Sequence, residues 1–187
     1  EDGSVMLVPQ GVTVMIDNGA IFKLREAAVG VGSTSSLVNR SGSALQVLGV
    51  PDNQVIFTSL LDETTGNNTT STPTQARSGN WGGIFFRNDV DQSQGRFVYE
   101  DEAIFLNHIG QSDIRYGGGN AIIDGDLQPV APINLTDAQP TIAYNVITRS
   151  AASAMSANPD SFEEFTFHAS RFQDGASQFT SDYGRIG

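Results

Sequence analysis

The sequence contains no cysteine, which removes disulfide scaffolds and cysteine-ligated zinc from consideration. That absence fits a secreted bacterial protein as well as a cytosolic one, so it leaves the compartment open. Lysine is nearly missing: Lys23 stands alone, and arginine supplies the other positive charges. Charged residues make up 17% of the chain, too few for the Glu- and Lys-rich faces of long surface helices. No apolar run approaches the ~18 residues of a membrane-spanning helix. The only histidines are His108 and His168, so a zinc site built from three His side chains is excluded. There is no Gly-x-Ser-x-Gly elbow, and Gly117-Gly118-Gly119 reads as a turn because no helical pattern follows it. No signal peptide is visible, and Glu1-Asp2-Gly3 reads as a mature or cut end. The net charge of −11 disfavours nucleic acid and anionic membranes, whose phosphates need a basic surface. An acidic exterior suits solubility and loose capture of divalent cations.

What is present is glycine, turn chemistry and short apolar alternations. Val5-Met6-Leu7-Val8 stops at Pro9-Gln10-Gly11, and Val12 to Ile16 stops at Asp17-Asn18-Gly19. Ala20 to Leu24, Val29 to Gly32 and Ala44 to Gly49 continue the pattern. No helix-length segment separates these strands, so a βαβ organisation is excluded. Gln54-Val55-Ile56-Phe57-Thr58-Ser59 puts Val55 and Phe57 on one face. A polar loop over 62–78 follows, without apolar periodicity, and is expected to lie outside the core and to be mobile. Gly79-Asn80-Trp81-Gly82-Gly83 then leads into the apolar triplet Ile84-Phe85-Phe86. Further units are read at Ala103 to Ile109, Ser112 to Tyr116, Asn120 to Asp124 and Thr141 to Ile147. Ile84 and Ile104, and likewise Ile122 and Ile142, stand 20 residues apart, within the ~20–30-residue turn of a wide parallel β-helix.

From these units the fold class is all-β: a right-handed parallel β-helix, a single-stranded solenoid, with a long lateral loop. Residues 1–150 form its coils. Residues 151–187 form an irregular or short-helical, Phe-rich cap or insertion, with a short helix over Ser150 to Ala157 ended by Asn158-Pro159. The aromatics Phe162, Phe165, Phe167, Phe172, Phe179 and Tyr183 do not recur at a coil interval. With no recognisable capping element, the chain reads as part of a longer protein.

Gln54 to Ser59, Asp62, the polar loop and Gly79-Asn80-Trp81-Gly82-Gly83-Ile84 together resemble the parallel β-helix segments of large secreted or surface bacterial proteins, of the pectin-lyase-like type. Val12-Thr13-Val14 with Gly19 to Leu24 is similar to the preceding rung, and Pro140 to Ile147 resembles later, Asn-containing rungs. The resemblance covers about Val5 to Ser150 and implies an extracellular or cell-surface location. It implies little about activity, since that fold hosts lyases, hydrolases, adhesins and passive stalks.

Candidate chemistry is sparse. Asp113 and Arg115 share a strand face; in a lyase, an Arg removes the proton beside a uronate carboxylate while calcium acidifies it. The ordinary alternative is a surface ion pair. Asp124 and Asp126 offer oxygen ligands for calcium, without the closing Glu of the looped calcium motif. Glu100-Asp101-Glu102 is the densest acidic run and reads most simply as solvated charge. Trp81 is a candidate platform for a sugar, against the alternative of an aromatic closing the coil interior. No catalytic residue and no cofactor beyond calcium is indicated. The expectation is therefore a non-catalytic extracellular structural or adhesive segment displaying loops to carbohydrate or protein partners. A calcium-assisted polysaccharide lyase or hydrolase is the alternative, and a self-associating surface-layer or filament unit the third reading.

Overall fold

The computed structural model describes residues 5–35, 37–67, 74–87, 106–123, 125–158 and 161. Its regular elements are all strands: Val5–Leu7 (β1), Thr13–Asp17 (β2), Ile21–Leu24 (β3), Ala28–Gly32 (β4), Ala44–Leu48 (β5), Val55–Ser59 (β6), Ile84–Arg87 (β7), His108–Gly110 (β8), Ser112–Arg115 (β9), Asn120–Ile123 (β10), Asp126–Pro129 (β11), Ile133–Thr136 (β12), Thr141–Ala143 (β13), Val146–Thr148 (β14) and Met155–Ala157 (β15). No helix among the described residues is long and apolar enough to cross a membrane.

All strands except β10 and β11 belong to three parallel sheets. The first runs β1-β4-β7-β12-β15, the second β2-β5-β8-β13 and the third β3-β6-β9-β14. Successive strands visit the three sheets in rotation, an arrangement compatible with a β-helix-like solenoid. Parallel neighbours cannot be joined by a hairpin, and here the long crossover each pair needs includes the strands of the other two sheets.

Alternation along each strand aims every second residue at a shared interior. Ile16, Val47, Ile109 and Ile142 stack in register in the second sheet. Phe22, Phe57, Ile114 and Ile147 do so in the third. In the first sheet Val29, Ile84, Ile133 and Met155 are aligned. These residues and Trp81 form one hydrophobic cluster. Phe57 links two rings, stacking on Phe22 at 5.1 Å and on Trp81 at 6.4 Å between centroids. Each large side chain so buried contributes about 1.5–3 kcal/mol.

At its β4 and β7 strands the first sheet is buried on its outer face as well. Every residue of β4 and β7 is buried. The outward residues Ala28 and Phe85 join Ala121, Ile123 and Val130 in a second cluster. The cover is an antiparallel hairpin of β10 and β11, inserted between β9 and β12. The excursion closes where Val130 N donates to Gly119 O at 3.0 Å. Gly30 makes room for the Phe85 ring under this cover: a Cβ there would stand 2.3 Å from it.

Several expectations change. The 20-residue interval is not the pairing register, because the segments between paired strands differ in length. Ile84 pairs with Val29 and Ile133, and Ile142 with Ile109. Ile122 lies in the hairpin opposite Leu127 and is 40% exposed, while Ile104 lies outside the described residues. No helix spans Ser150 to Ala157. Met155–Ala157 is a strand on β12, since extending the inner stacks of Ile133 and Leu135 outweighs the helical preference of small residues. Thr141 to Ile147 is two strands, broken at Tyr144 by a φ of 58°. Residues 162–187, with their aromatics, lie outside the described residues.

Candidate functional site

Strand β9 places Asp113 and Arg115 on the outer face of the third sheet while Ile114, between them, enters the core. Arg115 grips Asp113 with two parallel bonds, Nε to Oδ1 at 2.9 Å and Nη2 to Oδ2 at 2.5 Å. Its remaining nitrogen, Nη1, stands 3.7 Å from Asp62 Oδ2 and 3.4 Å from Thr64 Oγ1.

Asp62 is the centre of the cluster and only 2% exposed. Its Oδ2 accepts from Thr58 Oγ1 at 2.6 Å. Its Oδ1 accepts from Thr64 N at 3.0 Å and from Thr64 Oγ1 at 2.6 Å. An Asp two residues before a Thr folds the chain into a local turn, which carries the start of the loop back over β6. Lys23 Nζ donates to Asn67 O at 2.8 Å, and Thr74 Oγ1 to Leu61 O at 3.1 Å. Both described ends of the 62–78 loop are thus hydrogen-bonded to the sheet or to each other; residues 68–73 lie outside the described set.

Burial alone raises the Asp62 pKa, but the bonds from Thr58 and Thr64 and the Arg115 charge outweigh it and hold the carboxyl below the usual range. The hydrogen bond to Asp113 is the largest influence on Arg115; with the Asp113 and Asp62 charges it raises the guanidinium pKa against the opposing effect of burial. A lyase base must give up a proton before it takes one. Arg115 is held more firmly protonated than a free arginine, and its nitrogens face Asp113, Asp62 and Thr64. The geometry gives the pair a clear task in fastening the loop.

The other candidates that lie among the described residues are apart from this cluster of side chains. Asp126 is exposed on β11, and Asp124 lies outside the described residues. Among the described residues no three His, Asp or Glu side chains gather where they could hold a metal ion. Glu100-Asp101-Glu102 and His168 lie outside the described set. His108 sits half-buried on the second sheet between Gln46 and Thr141, and burial lowers its pKa. Trp81 has 0% exposure, and its Nε1 donates to Arg115 O at 2.7 Å. Its indole closes the coil interior and turns no face to a sugar. Gly83 beside it admits a neighbouring main chain, since a Cβ there would lie 2.1 Å from Ala131 O.

Sequence reasoning missed Asp62 and Thr64 as partners of Arg115. The Asp-x-Thr spacing was the available signal for the turn, but nothing in the sequence ties it to a strand some fifty positions on. The chain has no match among family models, curated proteins or solved structures.

Proposed function

We propose that the chain is a segment of right-handed parallel β-helix that acts outside the cell as a non-catalytic scaffold, displaying its lateral loops and corners to carbohydrate or protein partners. The right hand follows from the twist of parallel strands, which favours that crossover in about 98% of cases. The pectin-lyase-like resemblance and the surface location belong to the same proposal.

The observation that carries this reading is the use made of the Asp62, Asp113 and Arg115 cluster. The residues best suited to polysaccharide lysis are bonded to one another and to the loop that crosses them. Incubation of the purified chain with polygalacturonate or alginate, with calcium and with chelator, tests it. The expected result is no unsaturated uronate product. Release of that product, abolished in Arg115→Ala or Asp113→Ala, would replace the scaffold with the enzyme.

A further inference from the structure

We propose that the corner joining the second and third sheets carries a binding site for a neutral oligosaccharide, with Tyr144 as stacking platform and Gln111 and Asp52 as polar partners. The site deepens the display reading above and rests on it.

Four pairs of strands turn this corner. Between β2 and β3 the turn uses Gly19 at φ 75°, a conformation glycine adopts without penalty. The other three use Asp52 at φ 67°, Gln111 at φ 51° and Tyr144 at φ 58°. A side chain in that region costs roughly 1–2 kcal/mol. Elsewhere the same conformation occurs at exposed residues, Glu26 and Arg149, and at a packed one: Tyr116, at φ 61°, is 5% exposed and lies under the Arg149 guanidinium. Tyr144 instead is 79% exposed, with no hydrogen bond or ring contact to another described residue. The corner itself sets this backbone conformation; what singles out Tyr144 is a large ring held in solvent with no use inside the fold, and that points to a ligand.

The three corner segments lie side by side. Gln111 N donates to Ala143 O, and Gln111 O accepts from Val55 N, each at 3.2 Å. Gln111 alone connects β8 to β9, whereas the adjacent corner runs from Gly49 to Gln54 and carries Asp52 on an exposed turn. The half-buried Gln111 therefore forms a low floor between exposed Asp52 and exposed Tyr144. At ~4.8 Å per strand step the row spans roughly 10 Å, the length of a disaccharide.

The chemistry fits a sugar. An aromatic ring packs on the C–H face of a pyranose, a primary amide both donates and accepts, and a carboxylate accepts from hydroxyls. Asp52 and the net charge of −11 disfavour uronates and sulfated glycans, which selects a neutral chain. A stable protein partner would need about 1,000 Å² of complementary surface, and this strip is about one residue wide on each coil.

Calorimetric titration with hexasaccharides of β-1,4-glucan, β-1,4-mannan, β-1,4-xylan and β-1,3-glucan tests the site, with hexagalacturonate as the charged control. At least one neutral probe is expected to bind, and hexagalacturonate is not. Tyr144→Ala should weaken binding about tenfold and Gln111→Ala about fivefold, while Tyr144→Phe stays within about twofold; ~1 kcal/mol per contact corresponds to such factors. Tyr144→Gly should lose binding and gain thermal stability, because it relieves the corner. Failure of every neutral probe, or binding that survives Tyr144→Ala, overturns the corner site and leaves the scaffold reading standing. Cleavage of any bound probe overturns the scaffold reading, whichever residue binds it.

Discussion

The first and third sheets share an interior but differ in what covers them outside. On the first, Phe85 and Ala28 lie under the hairpin, and the contact is apolar. On the third, Thr58, Asp113 and Arg115 lie under a loop, and the contact is a set of charges and hydroxyls. Both covers lie on the outer face of their sheet, by opposite chemistry, and the polar one leaves Asp113 and Arg115 half-buried and Val146 exposed. An apolar cover tolerates changes of shape but not loss of volume. A polar cover demands that every partner be present, because a buried group left alone costs more than the bond it made.

Substitution at each cover sharpens the contrast. Phe86→Ala, beneath the first sheet, and Phe85→Ala, above it, should each cost about 3–5 kcal/mol in urea unfolding. Phe86 should be the worse, since the hairpin is able to settle into the space left by Phe85 whereas the shared interior is not. Equal losses would show that the hairpin is as rigid as the core. Gly30→Ala drives a methyl into the Phe85 ring and should cost about 1–3 kcal/mol. Hydrogen exchange should then rise over Asn120–Pro129 and stay unchanged in the third sheet.

On the polar side, Asp62→Asn should cost about 1–3 kcal/mol by leaving Arg115 and the two threonines poorly matched. It should also alter the response to acid. Folded Asp62 holds its proton less readily than the unfolded chain, so its contribution is complete above the ordinary value of 3.8. That contribution is lost as pH falls through the lower folded value, and the variant should show a flatter acid limb. Acid curves that superimpose would remove Asp62 from the account of this cover. The smallest effect is expected at His108, whose burial lowers its pKa. Acidification below 6.5 protonates the unfolded chain first and draws the equilibrium towards it. His108→Gln should abolish that component of the pH slope and change stability at neutral pH by less than ~0.5 kcal/mol.

The same contrast explains how much of the fold is legible in the sequence. Strand positions were legible where alternation is clean, as in Val55 to Thr58, and where turn residues punctuate, as at Asp17-Asn18-Gly19. The unbroken triplet Ile84-Phe85-Phe86 belongs to a strand covered on both faces, which is why it lacks alternation, a signal that sequence reasoning left unused. What covers it was not legible: the hairpin's partner face is assembled from β1, β4 and β7, far apart in sequence. Register was misread for a related reason. Short-range spacing reports strand period, but the interval between stacked strands depends on how much chain each corner ejects. Of the candidate site, the Asp113 and Arg115 pair was visible from its two-residue spacing. Asp62 was not, because its role exists only once the loop folds back.

The hairpin leaves the wall at Gly119 and rejoins it at Val130, and those two residues are already bonded to one another. Topologically the excursion is a side branch on a closed track, so its tip can be lengthened, shortened or exchanged without moving a single strand of the three ladders out of step. The constraint on any replacement is its underside, which must bring the equivalent of Ala121 and Ile123 down onto Phe85. A graft that honours those contacts would turn this wall into a mounting point for foreign sequence.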